Sequence, residues 1–548
     1  METTNAFIDA VNFKSTTLTE NGAVANITTQ SSIVDQFGKA GNYRGRDIYE
    51  VFDDQATIWK ENQEAALRFP FYLRLVTRKV KVNDKTFTEN VQNGQGARDE
   101  AFKRLLWIAK EHKDIFYNNI WILPIVGSWK DLWTIMFYDI KENLNILNRK
   151  AIYEIIAQGL LCDAHTNLVK KFMPRIKSSS KCTTDWTKIT NRLAKEFANY
   201  MNMSYQEYNK TKSSGTAHTF QKLICSRQYD KLKWNNIPGR ALNLLVTSKF
   251  LTNHDLRENY AKWIISQPVA KFTGYVYELS QKLRAAKVNN RSTLPIEVKH
   301  TLDAQFNSLV ERARENGQVT ENVWCCLDTS GSMNRYVDGL KKINCLDIAT
   351  SLTMFFATLN SGPFHNKIIA FDSISRAVDM VGESFCDRMS NLPGVGYGGT
   401  NFQSAVDVII DVRKKHPEIP LEQYPTTLLV VSDMQFNPTT YNWETGMSEE
   451  TNFEYSKNKL KEVFPSDFVD NMKFVWWDVA SRYGNTDFEG DAMTSGCYFF
   501  SGFDGSILSM LMNDDSVKDT STNKVRKITA EELVVKALNQ EILTYINI

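Results

Sequence analysis

Proline and histidine are scarce in this 548-residue chain, at 13 and 7, and its 8 cysteines never form a CxxC pair. The cysteines (Cys162, Cys182, Cys225, Cys325, Cys326, Cys345, Cys386, Cys497) and the histidines are scattered. Neither a zinc cluster nor a disulfide framework is indicated, and free thiols are expected. No apolar run is long enough to span a bilayer, which argues against membrane insertion. The opening residues, METTNAFIDAVNFKS, have neither a basic n-region nor an apolar h-region, so a secretory signal is not expected. Asn26-Ile27-Thr28 spells a glycosylation acceptor, which without secretion is a chance match. Hydrophobic content of 42% and charged content of 23% are those of an ordinary soluble protein. The expected location is cytoplasmic, or a virion if the source is viral.

The nearly balanced charge conceals an asymmetry. Residues 1–320 carry 46 Lys and Arg against 32 Asp and Glu, and residues 321–548 carry 19 against 31. The excess is concentrated in residues 101–300, with 32 basic and 15 acidic side chains. Such a split points to two domains, with a polyanionic partner for the first.

Hydrophobic periodicity changes at the same place. Before residue 320 the apolar spacing is mostly helical: residues 64–76, 97–112, 151–161, 186–201 and 296–315 are examples. The breaks between them are short (Asn93 to Gly96, Pro174, Pro238-Gly239, Pro268), which predicts an all-α solenoid of helical pairs over residues 1–319. After 320, short apolar strands alternate with amphipathic helices. Val323–Leu327, Lys367–Phe371, Thr427–Val431 and Lys473–Val479 are the expected strands. Residues 346–359, 401–415 and 453–464 are the expected helices. This pattern predicts an α/β domain over residues 320–515, a mostly parallel, doubly wound (Rossmann-like) sheet with helices on both faces. Residues 516–548 read as a linker and a closing helix, Thr529–Ile546, opened by the capping-box pattern Thr529-Ala530-Glu531-Glu532.

In an open parallel sheet, ligands gather at the carboxyl ends of the strands. Asp328 ends the first strand of the α/β half, and Ser330 and Ser332 follow on its loop. Asp433 arrives at the end of a second strand, and Gly398-Gly399-Thr400 delivers a hydroxyl just before a helix. Two carboxylates and three hydroxyls form a hard all-oxygen set suited to Mg²⁺ or Mn²⁺ rather than zinc. A turn with capping serines would explain Asp328 to Ser332, but not Thr400 and Asp433.

Competing readings are weaker. An aspartyl-phosphate phosphatase needs a second acid two residues after the first, where Ser330 stands. Gly394 to Gly399 spells GxGxxG but follows Asn391-Leu392-Pro393 rather than a strand, so a dinucleotide site is not supported. No GxxxxGKS/T loop occurs. No catalytic triad, acid pair or histidine cluster appears, so an enzyme is not expected.

Asp328-x-Ser330-x-Ser332, Thr400 and Asp433, in that order, resemble the metal-ion-dependent adhesion site of von Willebrand factor A domains. That resemblance implies a bound divalent ion with an open position, filled by an acidic group of a protein partner. The first half resembles the TROVE module of the Ro ribonucleoproteins. The residues that carry this are Glu20-Asn21-Gly22-Ala23, Gln63 to Leu67, Phe71 to Arg74, Gly94 to Asp99, Leu123-Pro124 and Gly127-Ser128-Trp129-Lys130-Asp131-Leu132-Trp133. The stretch Tyr229 to Trp263 is closer still to an uncharacterised TROVE-related family with the same domain pair, found in plants, microbes and large DNA viruses. Together these resemblances cover about nine-tenths of the chain. They imply a ring of HEAT-like repeats joined to a von Willebrand A domain.

The Ro resemblance implies RNA as partner: single-stranded ends through the ring, small structured RNA along its basic outer face. Candidate contacts are basic residues near aromatics. One cluster is Lys170, Lys171, Arg175 and Lys177 around Phe172. The other is Arg227, Lys231, Lys233 and Arg240 around Tyr229 and Trp234. For Phe172 and Trp234 themselves, burial in the core is the expected role. The expected function is a monomeric, non-enzymatic RNA-binding scaffold that docks a partner through the metal. The alternative is a metal-dependent protein-interaction scaffold with no RNA.

Overall fold

The structure, a computed structural model, describes residues 16–43, 45–82, 85–86, 91–216, 219–289, 294–317, 320–337, 343–392, 394, 396, 398–439, 450–480, 487–508, 510, 516–518 and 525–548. The chain forms two compact units. One is α/β and comprises residues 1–44 and 273–535; the other is helical and comprises residues 45–272 and 536–548.

The α/β unit is built on a six-stranded sheet. Its strands are β1 (Val323–Asp328), β2 (Lys367–Phe371), β3 (Ser375–Asp379), β4 (Thr427–Ser432), β5 (Lys473–Asp478) and β6 (Cys497–Ser501). The order across the sheet is β3-β2-β1-β4-β5-β6. All neighbours pair in parallel except β2 with β3. The central strands are runs of apolar residues such as LLVV and FVWW, buried on both faces as parallel strands require. Helix Cys345–Leu359 is buried along its whole length. The polar edge strand β3 (SRAVD) and the short β6 carry no distinct period-2 signal, and sequence reasoning missed both.

The boundary expected at residue 319 falls elsewhere, for two physical reasons. Helices Val276–Asn289 and Ile296–Glu315 have the periodicity of the first half but pack on the sheet's own helices. Ser280 and Ser351 share a hydroxyl hydrogen bond of 2.6 Å, and the ring of Phe306 stacks on Phe385 at 4.7 Å. Residues 16–43 cover the β6 edge, which would otherwise stand open. Phe37 of helix Ser32–Ala40 meets Phe500 edge-on at 6.0 Å. The Asn42 amide donates to the carbonyls of Asp478 and Ala480 at 2.8 and 2.9 Å, and its oxygen accepts from Gly502 N at 2.7 Å.

The helical unit has helices near their expected places, among them Gln63–Arg74, Arg98–Glu111, Arg149–Leu161 and Asp185–Tyr200. The closing helix is shorter than expected, Ala530–Leu538, and a 3-10 turn follows over Glu541–Tyr545. Gln540 ends the regular spacing by exchanging hydrogen bonds of 2.6 and 2.7 Å with the backbone of Asn93. Its start obeys the capping box: Thr529 N donates to Glu532 at 2.7 Å and Glu532 N to Thr529 Oγ1 at 3.2 Å. A buried ion pair fixes the segment Gly127 to Trp133. Arg74 Nη2 lies 2.6 Å from Asp131 Oδ2, which also accepts from Ser128 N at 2.7 Å. A Cβ on residue 127 would sit 2.2 Å from that carboxylate oxygen, so the position requires glycine. Among the described residues no helix is long and apolar enough to cross a membrane. All eight cysteines are free.

Two stability predictions follow from buried charge. Asp131→Ala strands the Arg74 guanidinium without its carboxylate. It should cost about 3–5 kcal/mol in urea titration of the helical unit. In the α/β unit, Glu489 is fully buried against the start of helix Asn452–Lys461, accepting from Phe453 N at 3.2 Å. Burial, with the neighbouring charges of Asp487 and Glu454, pushes its carboxyl up to about 8 from an ordinary value of 4.5. The folded state therefore binds this proton more tightly than the unfolded state. The group's contribution is most favourable below about pH 4.5 and is lost as pH rises toward about 8. Glu489→Gln should remove this slope: the melting temperature of the variant relative to the parent should rise steadily across that range.

Candidate functional site

The strand order reverses between β1 and β4, which makes their carboxyl ends the switch point of the sheet. Asp328 is the last residue of β1, Ser432 is the last of β4, and Asp433 follows it. The Ser432 hydroxyl donates to Asp328 Oδ2 at 2.5 Å, and Ser330 N donates to Oδ1 at 2.8 Å. Ser330 Oγ and Ser332 Oγ lie 3.1 Å apart on the turn that follows, within the reach of one hydrogen bond. Asp328, Ser330, Thr400 and Asp433 are buried; Ser332 is half-buried and marks the open side.

Thr400 is pinned to the loop after β4. Its N–H donates to Asn437 Oδ1 at 3.1 Å, and its carbonyl accepts from Asn437 N at 2.8 Å. The glycines before it approach the Asp328 loop closely. Gly396 N donates to Thr329 O at 2.6 Å, and Gly331 N to Gly398 O at 3.4 Å. A Cβ on Gly396 would meet Asp372 Oδ2 at 2.2 Å, and one on Gly398 would meet Ser373 Oγ at 2.2 Å. Close approach accounts for two of the three glycines of the GxGxxG spelling, Gly396 and Gly399, a Cβ on the latter meeting Asn437 Nδ2 at 2.7 Å.

The electrostatics suit a cation. Burial pushes the Asp328 carboxyl above its ordinary value, and the like charge of Asp433 pushes the same way, against the hydrogen bonds from Ser432 and Ser330. Among the described residues no group of three or more His, Cys, Asp or Glu side chains could hold a metal, so any ion at this edge must use hydroxyls as well. Two acids and three hydroxyls at one edge are hard ligands, compatible with Mg²⁺ or Mn²⁺. The adjacent Cys325 and Cys326 do not compete: burial pushes both thiols far above their ordinary range.

Sequence reasoning missed two residues of this edge as site members. Ser432 orients Asp328, and its place at a strand end beside Asp433 was a usable signal. Asn437 fixes Thr400 across 37 residues, and no local pattern announces it.

The two basic clusters fare differently. Lys171, Arg175 and Lys177 line a cavity of about 380 Å³, together with Lys130, Phe172 and Trp186. Lys130 Nζ lies 5.0 Å from the Trp186 ring centre, and Lys171 Nζ lies 5.5 Å from that of Phe172. Phe172 also borders a second cavity of about 530 Å³ with Arg78, Lys79, Trp121, Trp129 and His165. The segment Gly127 to Trp133 contributes to both walls. Phe172 is thus half-buried cavity lining rather than core. Lys170 packs beside Gly215, where an added Cβ would come within 2.5 Å of the Lys170 Cβ. The second cluster does not gather around a described cavity. Arg227, Lys231, Lys233 and Arg240 are exposed, while Trp234 is core, its Nε1 donating to Asn259 at 2.9 Å.

Comparison with known proteins bears on the whole chain. A family model described as a domain of unknown function (DUF7788) matches residues 322–545. Uncharacterized protein L728 of Acanthamoeba polyphaga mimivirus is 22% identical over 539 residues, which span 92% of this chain and 86% of its own. Among solved structures, the chain is similar to a Ro protein. That protein, RSR of Deinococcus radiodurans, is 13% identical with a TM-score of 0.42, covering 88% of this chain and 99% of its own.

Proposed function

We propose that this chain is a non-enzymatic RNA-binding scaffold. Its helical unit takes up RNA on the wall around Phe172, and its α/β unit docks a protein partner through a Mg²⁺-class ion. The observation that carries the RNA reading is the pairing of cations with ring faces along that wall, Lys130 with Trp186 and Lys171 with Phe172. Unpaired bases stack on aromatic faces while phosphates seek the adjoining cations, so one strip of surface serves both needs. The basic excess of residues 101–300 supports the same reading.

For the metal reading, Asp328, Ser330, Ser332, Thr400 and Asp433 would hold the ion. A bound ion would supply a Lewis-acidic position for a partner's carboxylate. Ser432 and Asn437 keep the ligands oriented. A second reading, a metal-dependent protein-interaction scaffold with no RNA, is favoured by one point: Asp328, Ser330, Ser332, Thr400 and Asp433 all belong to the α/β unit. The similarity to a viral protein fits a virion-associated form of it.

Titration calorimetry with Mg²⁺ and Mn²⁺ tests the metal. Asp328→Ala should abolish divalent binding with the fold retained, because the removed carboxylate is one of two like charges buried together. Undiminished binding would remove the assignment. For RNA, labelled single strands are titrated against the full chain at several salt concentrations. Each phosphate contact contributes a slope of roughly −0.7 in log K against log salt, so about six contacts cost roughly 2.5 log units between about 50 and 200 mM. Replacing Lys171, Arg175 and Lys177 together by Glu should shrink the slope by up to about two. Absence of binding at low salt would overturn the RNA reading and leave the second one standing.

A further inference from the structure

The candidate metal edge is touched by a segment more than 300 residues away in sequence. Residues Thr19 to Ala23 form a tight turn between the paired strands Thr16–Leu18 and Val24–Asn26. Gly22 N donates to Thr19 O at 2.9 Å, and Ala23 N to Thr19 Oγ1 at 3.0 Å. Gly22 has φ +90, a conformation that favours glycine.

This turn reaches all three loops that carry the five candidate ligands. At the loop after β4, Thr19 Oγ1 donates to Phe436 O at 2.7 Å, and Glu20 N donates to Gln435 Oε1 at 2.6 Å. The Asn21 amide nitrogen donates to Gln435 O at 2.6 Å and lies 3.4 Å from Thr400 Oγ1. A carbonyl only accepts, so Gln435 O fixes which end of the Asn21 amide faces Thr400. At the loop after β1, the Glu20 carboxylate pairs with Arg335 at 3.3 Å, and Arg335 N in turn donates to Ser332 O at 2.9 Å. An acid is thereby held at the rim, where Ser332 opens the buried site.

We propose that the Thr19–Ala23 turn is a fourth segment of the metal edge and its intramolecular occupant. When a divalent cation is bound, Glu20 leaves Arg335 for the open position that a partner's acidic group must otherwise take. This rests on the metal reading of Asp328, Ser330, Ser332, Thr400 and Asp433. The physical case is charge. Without a cation, a third carboxylate beside two buried ones is unfavourable, and the pair with Arg335 helps to offset it. With a cation in place the balance reverses. The Glu20 side chain is 55% exposed and that of Arg335 46%, so both can move without disturbing the core. An acidic partner must then displace Glu20, which makes docking a competition rather than simple addition.

The test uses the full chain and Mn²⁺ alone as probe, with affinity from calorimetry and bound-water number from water-proton relaxation. Glu20→Gln should weaken Mn²⁺ binding by about tenfold, because the charge count of the ligand set tunes affinity. It should also raise the relaxivity of the bound ion, as a water takes the vacated position. Arg335→Gln should tighten binding, since it removes a positive charge from the rim and weakens the hold on Glu20. A merely structural ion pair at the rim would shift affinity in these same directions through charge alone but leave relaxivity unchanged, so a weakened Glu20→Gln protein with unchanged relaxivity would overturn the occupant role. Wild-type-like affinity and relaxivity in a folded Glu20→Gln protein would overturn the occupant role alone. Failure of the folded parent to bind Mn²⁺ would overturn the metal reading and this proposal with it.

Discussion

Two carboxylates buried at one sheet edge constrain everything built around them. Asp328 is wholly withdrawn from water beside Asp433, and its hydrogen bonds come from the neutral groups of Ser330 and Ser432. An isolated buried anion is costly, and two in company are costlier, unless a positive charge is supplied. The surrounding loops show how closely the chain is held there. Glycines 396 and 398 bring backbone against side chains with no room for a Cβ, and Asn437 clamps Thr400 by its main chain.

The helical unit treats buried charge in the opposite way. Asp131 is matched by Arg74, and Glu100 by Arg104 at 2.9 Å, with all four side chains nearly inaccessible. Those pairs are complete within the fold and serve architecture. The contrast separates acids paired with guanidinium groups from a buried acid, Asp328, whose hydrogen bonds come from neutral groups. It also leaves the exposed basic residues of this unit, Lys171, Arg175 and Lys177 among them, available along an aromatic-lined cavity.

Much of this was legible in the sequence because it is local. The central strands contain apolar runs of four or five residues, and the carboxylates and hydroxyls at their ends can be placed on one sheet edge from sequence order alone. The closing helix began where its capping box said. What escaped depends on pairing between distant segments. The polar edge strand β3 is a strand only because β2 offers it hydrogen bonds. Helices 276–289 and 296–315 have the same periodicity whichever core they face, so periodicity alone could not assign them to their neighbour. Phe172 was expected in the core because most phenylalanines are there, and a single aromatic residue gives no sign of facing a cavity.

Residues 16–43 belong to the α/β unit and residues 536–548 to the helical one, so each unit is completed by a segment from the far side of the other. For a chain made from its amino end, this sets a schedule. Asn42 must wait for Gly502, 460 residues later, before its hydrogen bond can form. The helical unit in turn stays unfinished until Gln540 and Asn547 emerge to meet Asn93 and Asn119. Contacts of such long range slow folding and leave apolar surface exposed meanwhile. Helix Ser32–Ala40, with its buried face of Ile33, Val34 and Phe37, therefore lacks its packing partner through most of synthesis, until β6 exists, and Arg68 waits 471 residues for Asn539.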